Sequence, residues 1–170
     1  MRGIERLRSV ERSSGPLAKA LPELPQDETI LVRLLRVSGY GLSDYFSDVF
    51  KSLGITENMD HLLAVLSASG AGQNSPTELS ELIGTGRANM TKIIATLEKN
   101  NYVRRESGKV DARSNMVIIT KEGKALVKRI TPLVSIPIEN AFSGLSKNEK
   151  ATLTKLLRKT IISLDNAKTF

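Results

Sequence analysis

The side chains that usually carry enzyme chemistry are scarce in this sequence and do not combine into a catalytic set. The 170 residues include one histidine, His61, and no cysteine, which excludes thiol catalysis, disulfides and thiolate metal sites. His61 stands at the start of an apolar helical pattern, where we expect a buried or half-buried structural role. Asp44 and Asp48 are one helical turn apart, but no basic partner or further metal-ligating residue accompanies them in the pattern. We therefore expect them to lie on a solvated helix face. We therefore predict no enzyme, no metal site and no cofactor.

Basic residues, by contrast, are concentrated in one segment. The net charge is +7, from 25 Lys and Arg against 18 Asp and Glu, and the isoelectric point is near 9.8. Residues 84–129 hold 11 of the basic and 4 of the acidic residues, so the rest of the chain, with 14 of each, is neutral. Such a cluster is a candidate footprint for phosphates. A solvated helix face is the alternative interpretation of the charge alone.

Two short helical patterns, one just before this basic segment and one within it, are separated by a glycine-containing turn. Ser75-Pro76-Thr77-Glu78 has the form of a capping box with proline at the first helical position, and predicts a helix over 76–83. Gly84-Thr85-Gly86 interrupts it, and apolar residues at helical spacing then run from Met90 to Leu97. Two helices joined by so short a turn are typical of a helix-turn-helix.

The second of these helices exposes residue types that read DNA bases. If the stripe from Met90 to Leu97 is buried, helical geometry turns six other residues to solvent: Arg87, Ala88, Asn89, Thr91, Lys92 and Thr96. Arginine can chelate guanine, asparagine can chelate adenine, and alanine or the threonine methyl can contact thymine. We expect Arg87, Asn89 and Thr91 to read bases and Lys92 to meet phosphate. Ser75 and Thr77 either contact phosphate or only cap their helix.

A predicted β-hairpin follows directly. Residues 102–105 and 116–120 are rich in strand-forming types, and the polar loop between them has Gly108 near its tip. A hairpin appended to a helix-turn-helix is a winged helix. The expected fold class is mainly α with a small β-hairpin (α+β).

The flanking segments predict further helices. We expect an irregular N-terminal arm over residues 1–27, a long dimerisation helix over 28–55, the winged helix-turn-helix over 56–120 and C-terminal dimerisation helices over 121–170. Thr120 and Ser146 can cap the last two helices, while Pro132 and Pro137 should kink or segment the first of them. The flanking apolar stripes exceed what a small DNA-binding unit needs, so they predict a two-fold symmetric dimer interface.

From about Glu28 to Phe170 the sequence resembles the MarR family of bacterial transcription regulators. Asp111-Ala112-Arg113 and Ile119-Thr120-Lys121-Glu122-Gly123 look like the family's D-x-R and L-T-x-x-G elements, and residues 87–98 look like its recognition helix. Gly86 departs from the pattern, because the family usually has Ser or Thr there as a cap. The proline-containing arm is also longer than typical, and its role stays open.

The resemblance implies roles for the wing. Arg113 would enter the minor groove with Asp111 as its support, and the remaining wing contacts to DNA would come from Arg105, Ser107, Lys109 and Ser114. It also implies a homodimer, joined through its N- and C-terminal helices on a pseudo-palindromic operator. A ligand crevice would lie between the dimer region and the winged helix. The expected function is a ligand-responsive repressor that binds double-stranded DNA.

One alternative remains. The chain could be a winged-helix module for dimerisation or protein contact without specific DNA binding, and steep salt dependence of duplex binding separates that hypothesis from the first. No stretch approaches a membrane span and no secretory signal core is present, so we expect a cytoplasmic protein without membrane partners. The sequence does not identify an effector, an operator, target genes or the sign of regulation.

Overall fold

The computed structural model describes residues 3–107 and 115–167, and it confirms the expected fold class of helices with a small antiparallel sheet. The elements in chain order are α1 Gly3–Ala20, α2 Gln26–Ser52, α3 Glu57–Ala68, β1 Gln73–Asn74, α4 Pro76–Ile83, α5 Arg87–Lys99, β2 Val103–Ser107, β3 Asn115–Ile119, α6 Lys121–Ala141 and α7 Lys147–Asn166. The chain divides into two compact units, one ending at Ile130 and the other beginning at Thr131. None of the helices in these two described stretches is long and apolar enough to cross a membrane.

The N-terminal segment differs from the sequence-based interpretation. Residues 3–20 form helix α1, which runs through Pro16, and α2 begins at Gln26, so most of the described part of 1–27 is helical and only residues 21–25 are irregular. The helix forms because Val10, Leu17 and neighbouring small residues repeat at helical spacing and pack against α2. Pro16 and the mixed charges concealed this spacing in the sequence.

Side-chain hydrogen bonds cap four of the helix starts, and they confirm the caps predicted at Ser75, Thr120 and Ser146. The Thr56 hydroxyl accepts from the Met59 amide at 3.3 Å, and the Thr120 hydroxyl accepts from the Gly123 amide at 3.0 Å. Ser75 and Ser146 both form complete capping boxes, with Glu78 and Glu149 respectively. Each cap satisfies amide groups that a helix cannot pair within itself.

The sheet has the strand order β1-β3-β2, and all its pairings are antiparallel. Val103 pairs with Ile119 and Ser107 with Asn115, which is the predicted hairpin. Strand β1, two residues long, pairs Gln73 with Ile118 and was not predicted, because two polar residues carry no strand periodicity.

A single core supports the winged helix. Leu62, Leu63 and Leu66 of α3 and Leu97 of α5 are fully inaccessible to solvent. Val117 of β3 is equally buried, and Leu126 and Ile130 of α6 are nearly so. His61, expected to be buried or half-buried, is instead exposed, because the apolar stripe of α3 passes through its neighbours Leu62 and Leu63.

The C-terminal helices differ from expectation in two respects. Pro132 and Pro137 do not divide α6, which is one continuous helix. Each proline removes one amide donor, and the carbonyls that lose it belong to the exposed residues Lys128 and Leu133, where water can replace the donor. Several apolar residues expected to face inward are also at least one-third exposed in the single chain: Leu133, Leu153, Leu156, Leu157, Ile161 and Leu164.

Candidate nucleic-acid interface

The turn between α4 and α5 is fixed by specific contacts. Gly84 ends α4 with a φ of 70°, a left-handed conformation that favours glycine. The buried Ser80 hydroxyl donates to the Thr85 carbonyl, and the Thr85 amide donates to the Ser80 carbonyl at 3.1 Å. This pair of bonds sets where α5 begins. Sequence reasoning did not single out Ser80, although a serine on the inner face of a short amphipathic helix was a usable signal.

Helix α5 has one buried and one exposed side, as predicted. Met90, Ile93, Ile94 and Leu97 are at most 8% exposed. The six predicted DNA-facing residues, Arg87, Ala88, Asn89, Thr91, Lys92 and Thr96, are all exposed. The structure therefore brings these six together on one surface whose first turn is open to a large ligand.

Three of these side chains already hold hydrogen bonds. The Asn89 amide donates to the Thr85 hydroxyl at 2.8 Å, which ties it to the preceding turn. The hydroxyls of Thr91 and Thr96 donate to the carbonyls four residues earlier, at 3.0 and 2.9 Å. The threonine methyl groups are thereby oriented, whereas a bidentate contact from Asn89 to adenine requires its amide to leave Thr85.

The N-termini of α4 and α5 differ in how many free groups they present to an anion. At α4 the Ser75 amide and hydroxyl both donate to the Glu78 carboxylate, at 3.1 and 3.2 Å, so the capping interpretation of Ser75 accounts for its contacts. Thr77 is exposed beside it. At α5 the N-cap is Gly86, which has no side chain with which to cap the first amides. The first turn of α5 is thus the more favourable place for a phosphate.

Arg105 is held by Glu98 of α5. Its backbone amide donates to one oxygen of Glu98 at 3.2 Å, and its guanidinium lies 3.4 Å from the other. Glu98 therefore joins the end of α5 to strand β2 through a single carboxylate. Both side chains are about 40% exposed, so the ion pair itself contributes only about 0–1 kcal/mol.

The base of the wing is locked to α6 by a close backbone approach. The Thr120 hydroxyl lies 2.7 Å from the Asn101 carbonyl and 3.1 Å from the Tyr102 carbonyl, which also accepts from the Thr120 amide. A side-chain carbon on Gly123 would lie 2.2 Å from the Tyr102 oxygen. Only glycine fits there, which gives the T-x-x-G element a physical reason.

The tip of the wing lies outside the described residues. Lys109, Asp111, Arg113 and Ser114 fall in residues 108–114, and the side chain of Ser107 is likewise not described, so their predicted roles remain predictions.

Their surroundings shift the pKa values of two carboxyl groups, Asp60 and Glu149. Burial raises the pKa of the Asp60 carboxyl, which His61 lowers and Glu57 raises to smaller extents. Hydrogen bonds from Ser146 lower the pKa of Glu149. Within residues 3–107 and 115–167, no three His, Asp or Glu residues group in a way that could hold a metal ion.

Comparison with known proteins identifies this arrangement. The MarR family model matches residues 55–114, which span α3 to the wing. Residues 55–114 therefore belong to the MarR family of transcription regulators. The predicted resemblance to the MarR family is therefore confirmed.

Transcription regulators match this chain over most of its length. The Escherichia coli HTH-type transcriptional regulator PrsX is 26% identical over 145 residues, covering 85% of this chain and 87% of its own. The transcriptional repressor MprA of Escherichia coli K12 is 28% identical over 143 residues, covering 84% and 81%. The structure of Sco3205, a MarR family regulator from Streptomyces coelicolor in complex with DNA, is similar with a TM-score of 0.78 and 26% identity, covering 83% of this chain and 89% of that one.

Proposed function

We propose that this protein is a sequence-specific double-stranded DNA-binding regulator, a ligand-responsive repressor that works as a homodimer in the bacterial cytoplasm and not as an enzyme. The observation that carries the proposal is the α5 surface: six exposed residues that suit DNA contact, backed by a buried stripe and set within the basic segment. Relatives named as regulators, and one solved in complex with DNA, support it.

The first turn of α5 would enter the major groove. Arg87 would chelate a guanine edge, and Thr91 would place its methyl group against a thymine. Lys92, one turn into the helix, would contact phosphate, as would the uncapped amides that follow Gly86. Arg87 and Thr91 would thus read the bases, whereas Lys92 and the helix amides would position the protein on the DNA backbone.

The wing would read the adjacent minor groove. In the family pattern Arg113 enters that groove and Asp111 orients it, an arrangement that favours narrow and strongly negative grooves. Glu98 would support the wing without contacting DNA, because its bonds to Arg105 hold strand β2 in position, and β2 leads to the tip.

Homodimer formation would place two reading surfaces on one duplex. Leu31 and Leu35 of α2 and Leu156 and Ile161 of α7 are 41–63% exposed in the single chain, more apolar surface than an isolated monomer normally presents. Burying these faces in a two-fold interface would pair half-sites about 34–36 Å apart, which predicts a pseudo-palindromic operator.

An effector would act where α2 meets the winged helix. An open cleft of about 640 Å³ is lined by Ser43, Ser47 and Phe50 of α2, by Met59 of α3 and by Thr96 of α5. A ligand in this cleft would contact the dimerisation helix and the recognition helix together. It could therefore change the spacing of the two reading surfaces and the affinity for the operator.

The test is fluorescence anisotropy with a duplex selected from a random pool, compared with a scrambled duplex over a salt series. We expect Arg87→Ala and Arg113→Ala each to weaken specific binding by about 1–3 kcal/mol. Arg36→Ala, which removes an exposed cation of α2, is the matched control and should bind like the wild type. Equal binding of selected and scrambled duplexes, unaffected by either substitution, would instead favour a protein-contact module.

A further inference from the structure

A small apolar cavity lies between α1 and α2, close to the loop that joins them. Its volume is about 220 Å³, and aliphatic side chains form most of its wall, including Leu17, Leu21, Leu24 and Ile30. At about 30 Å³ per water-sized group, it has room for roughly seven such groups. That is less than drug-sized ligands need, but it suits the tail of a small molecule.

The cationic side chain of Arg33 lies in this aliphatic wall. The half-buried guanidinium of Arg33 donates to the hydroxyls of Ser14, at 3.1 Å, and Ser13. Over residues 3–107 and 115–167 it has no carboxylate partner. Arg6, which joins the same two helices elsewhere, has Asp44 at 3.0 Å. Neutral hydroxyls leave the charge of Arg33 uncompensated and occupy only some of its five N–H donors.

We propose that this cavity binds a small amphipathic carboxylate, with its aliphatic tail between α1 and α2 and its carboxylate on Arg33. A guanidinium and a carboxylate form paired, charge-assisted hydrogen bonds that a hydroxyl cannot match. The wall described above is aliphatic, so the complementary tail is a short alkyl chain. This site is separate from the cleft that α2 forms with α3 and α5.

Binding would also act on helix α1. A carboxylate that paired with both terminal nitrogens of Arg33 would compete with the Ser13 and Ser14 hydroxyls for their N–H groups. Both hydroxyls also donate to carbonyls within α1, those of Ser9 and Val10. The ligand would therefore exchange a link between the two helices for one between α2 and itself. This inference does not rest on DNA binding, so it is tested on the full chain without DNA.

The first measurement is calorimetric titration with octanoate and with 1-octanol, which share a tail and differ in charge. We expect saturable octanoate binding and at least tenfold weaker binding of octanol, the difference that charge-assisted bonds typically make. Equal affinities, or no saturable octanoate binding, would overturn the proposal.

Two variants locate the site. Arg33→Gln should weaken octanoate binding about tenfold, and Ala18→Phe, which fills the cavity and keeps Arg33, should abolish it. Arg36→Gln removes an exposed cation one turn along α2 and should leave the affinity unchanged. Circular dichroism and thermal unfolding establish that each variant is folded. If folded Arg33→Gln and Ala18→Phe both bind octanoate like the wild type, the ligand sits elsewhere and the proposal fails.

Discussion

Replacing Gly123 with alanine tests how the wing is attached to the rest of the fold. The new Cβ would lie 2.2 Å from the Tyr102 carbonyl oxygen and 2.8 Å from Cγ1 of Ile119, whereas real Cβ atoms essentially never approach closer than 3.0 Å. The first obstacle is backbone, so it cannot rotate away. The hairpin and the start of α6 must separate.

The magnitude follows from the contacts that this separation breaks. Moving the Tyr102 carbonyl disrupts its bonds with the amide and hydroxyl of Thr120, both at 3.1 Å, at a cost of about 1 kcal/mol each. Overpacking adds about 1–3 kcal/mol. Alanine is better than glycine within a helix by about 0.5–1 kcal/mol, which offsets part of the loss. We expect the free energy of unfolding to fall by about 2–4 kcal/mol.

The assay is urea unfolding followed by circular dichroism, at one protein concentration for all variants because dimerisation couples to stability. Gly39→Ala is the control, since nothing lies within 4 Å of a Cβ at that position in α2. It should raise stability by about 0.5–1 kcal/mol. A Gly123→Ala protein as stable as the wild type would refute the argument that the close approach requires glycine.

Three further outcomes are expected. Lys92→Ala should weaken duplex binding equally for all sequences and reduce the slope of log K against log salt by about 1. Arg87→Ala should instead relax the sequence preference. Fluorescence anisotropy over a salt series distinguishes the two effects. Ser146→Ala should lower the free energy of unfolding by about 1 kcal/mol in urea, because α7 loses its cap. Asp60→Asn should stabilise the fold at neutral pH, because burial raises the folded-state pKa of that carboxyl. This advantage should shrink as the pH falls through the raised pKa. It should vanish below the ordinary value of 3.8, where Asp60 is protonated in both the folded and the unfolded wild type. Urea unfolding at several pH values checks this.

The winged helix was predictable because its signals are local. Capping boxes at Ser75 and Ser146, the glycine turn before α5 and the apolar stripe from Met90 each depend on residues within one or two turns. They agree with one another, and the structure reproduces them.

Features that depend on contacts distant in sequence were not predictable. Helix α1 is stabilised by packing on α2 and by Arg33 reaching back to Ser13 and Ser14, about 20 residues away, so its proline misled the local interpretation. Strand β1 exists only because β3 pairs with it. Glu98 was overlooked for the same reason, since its partner Arg105 lies beyond the end of its helix.

Selection of duplexes from a random pool by the purified 170-residue chain, at stated ionic strength, is the most direct test of the central claim. The account predicts enrichment of an inverted repeat whose half-sites are about one helical turn apart, bound by a dimer and lost steeply with added salt. A monomer that enriches no sequence, even at low salt, would contradict it.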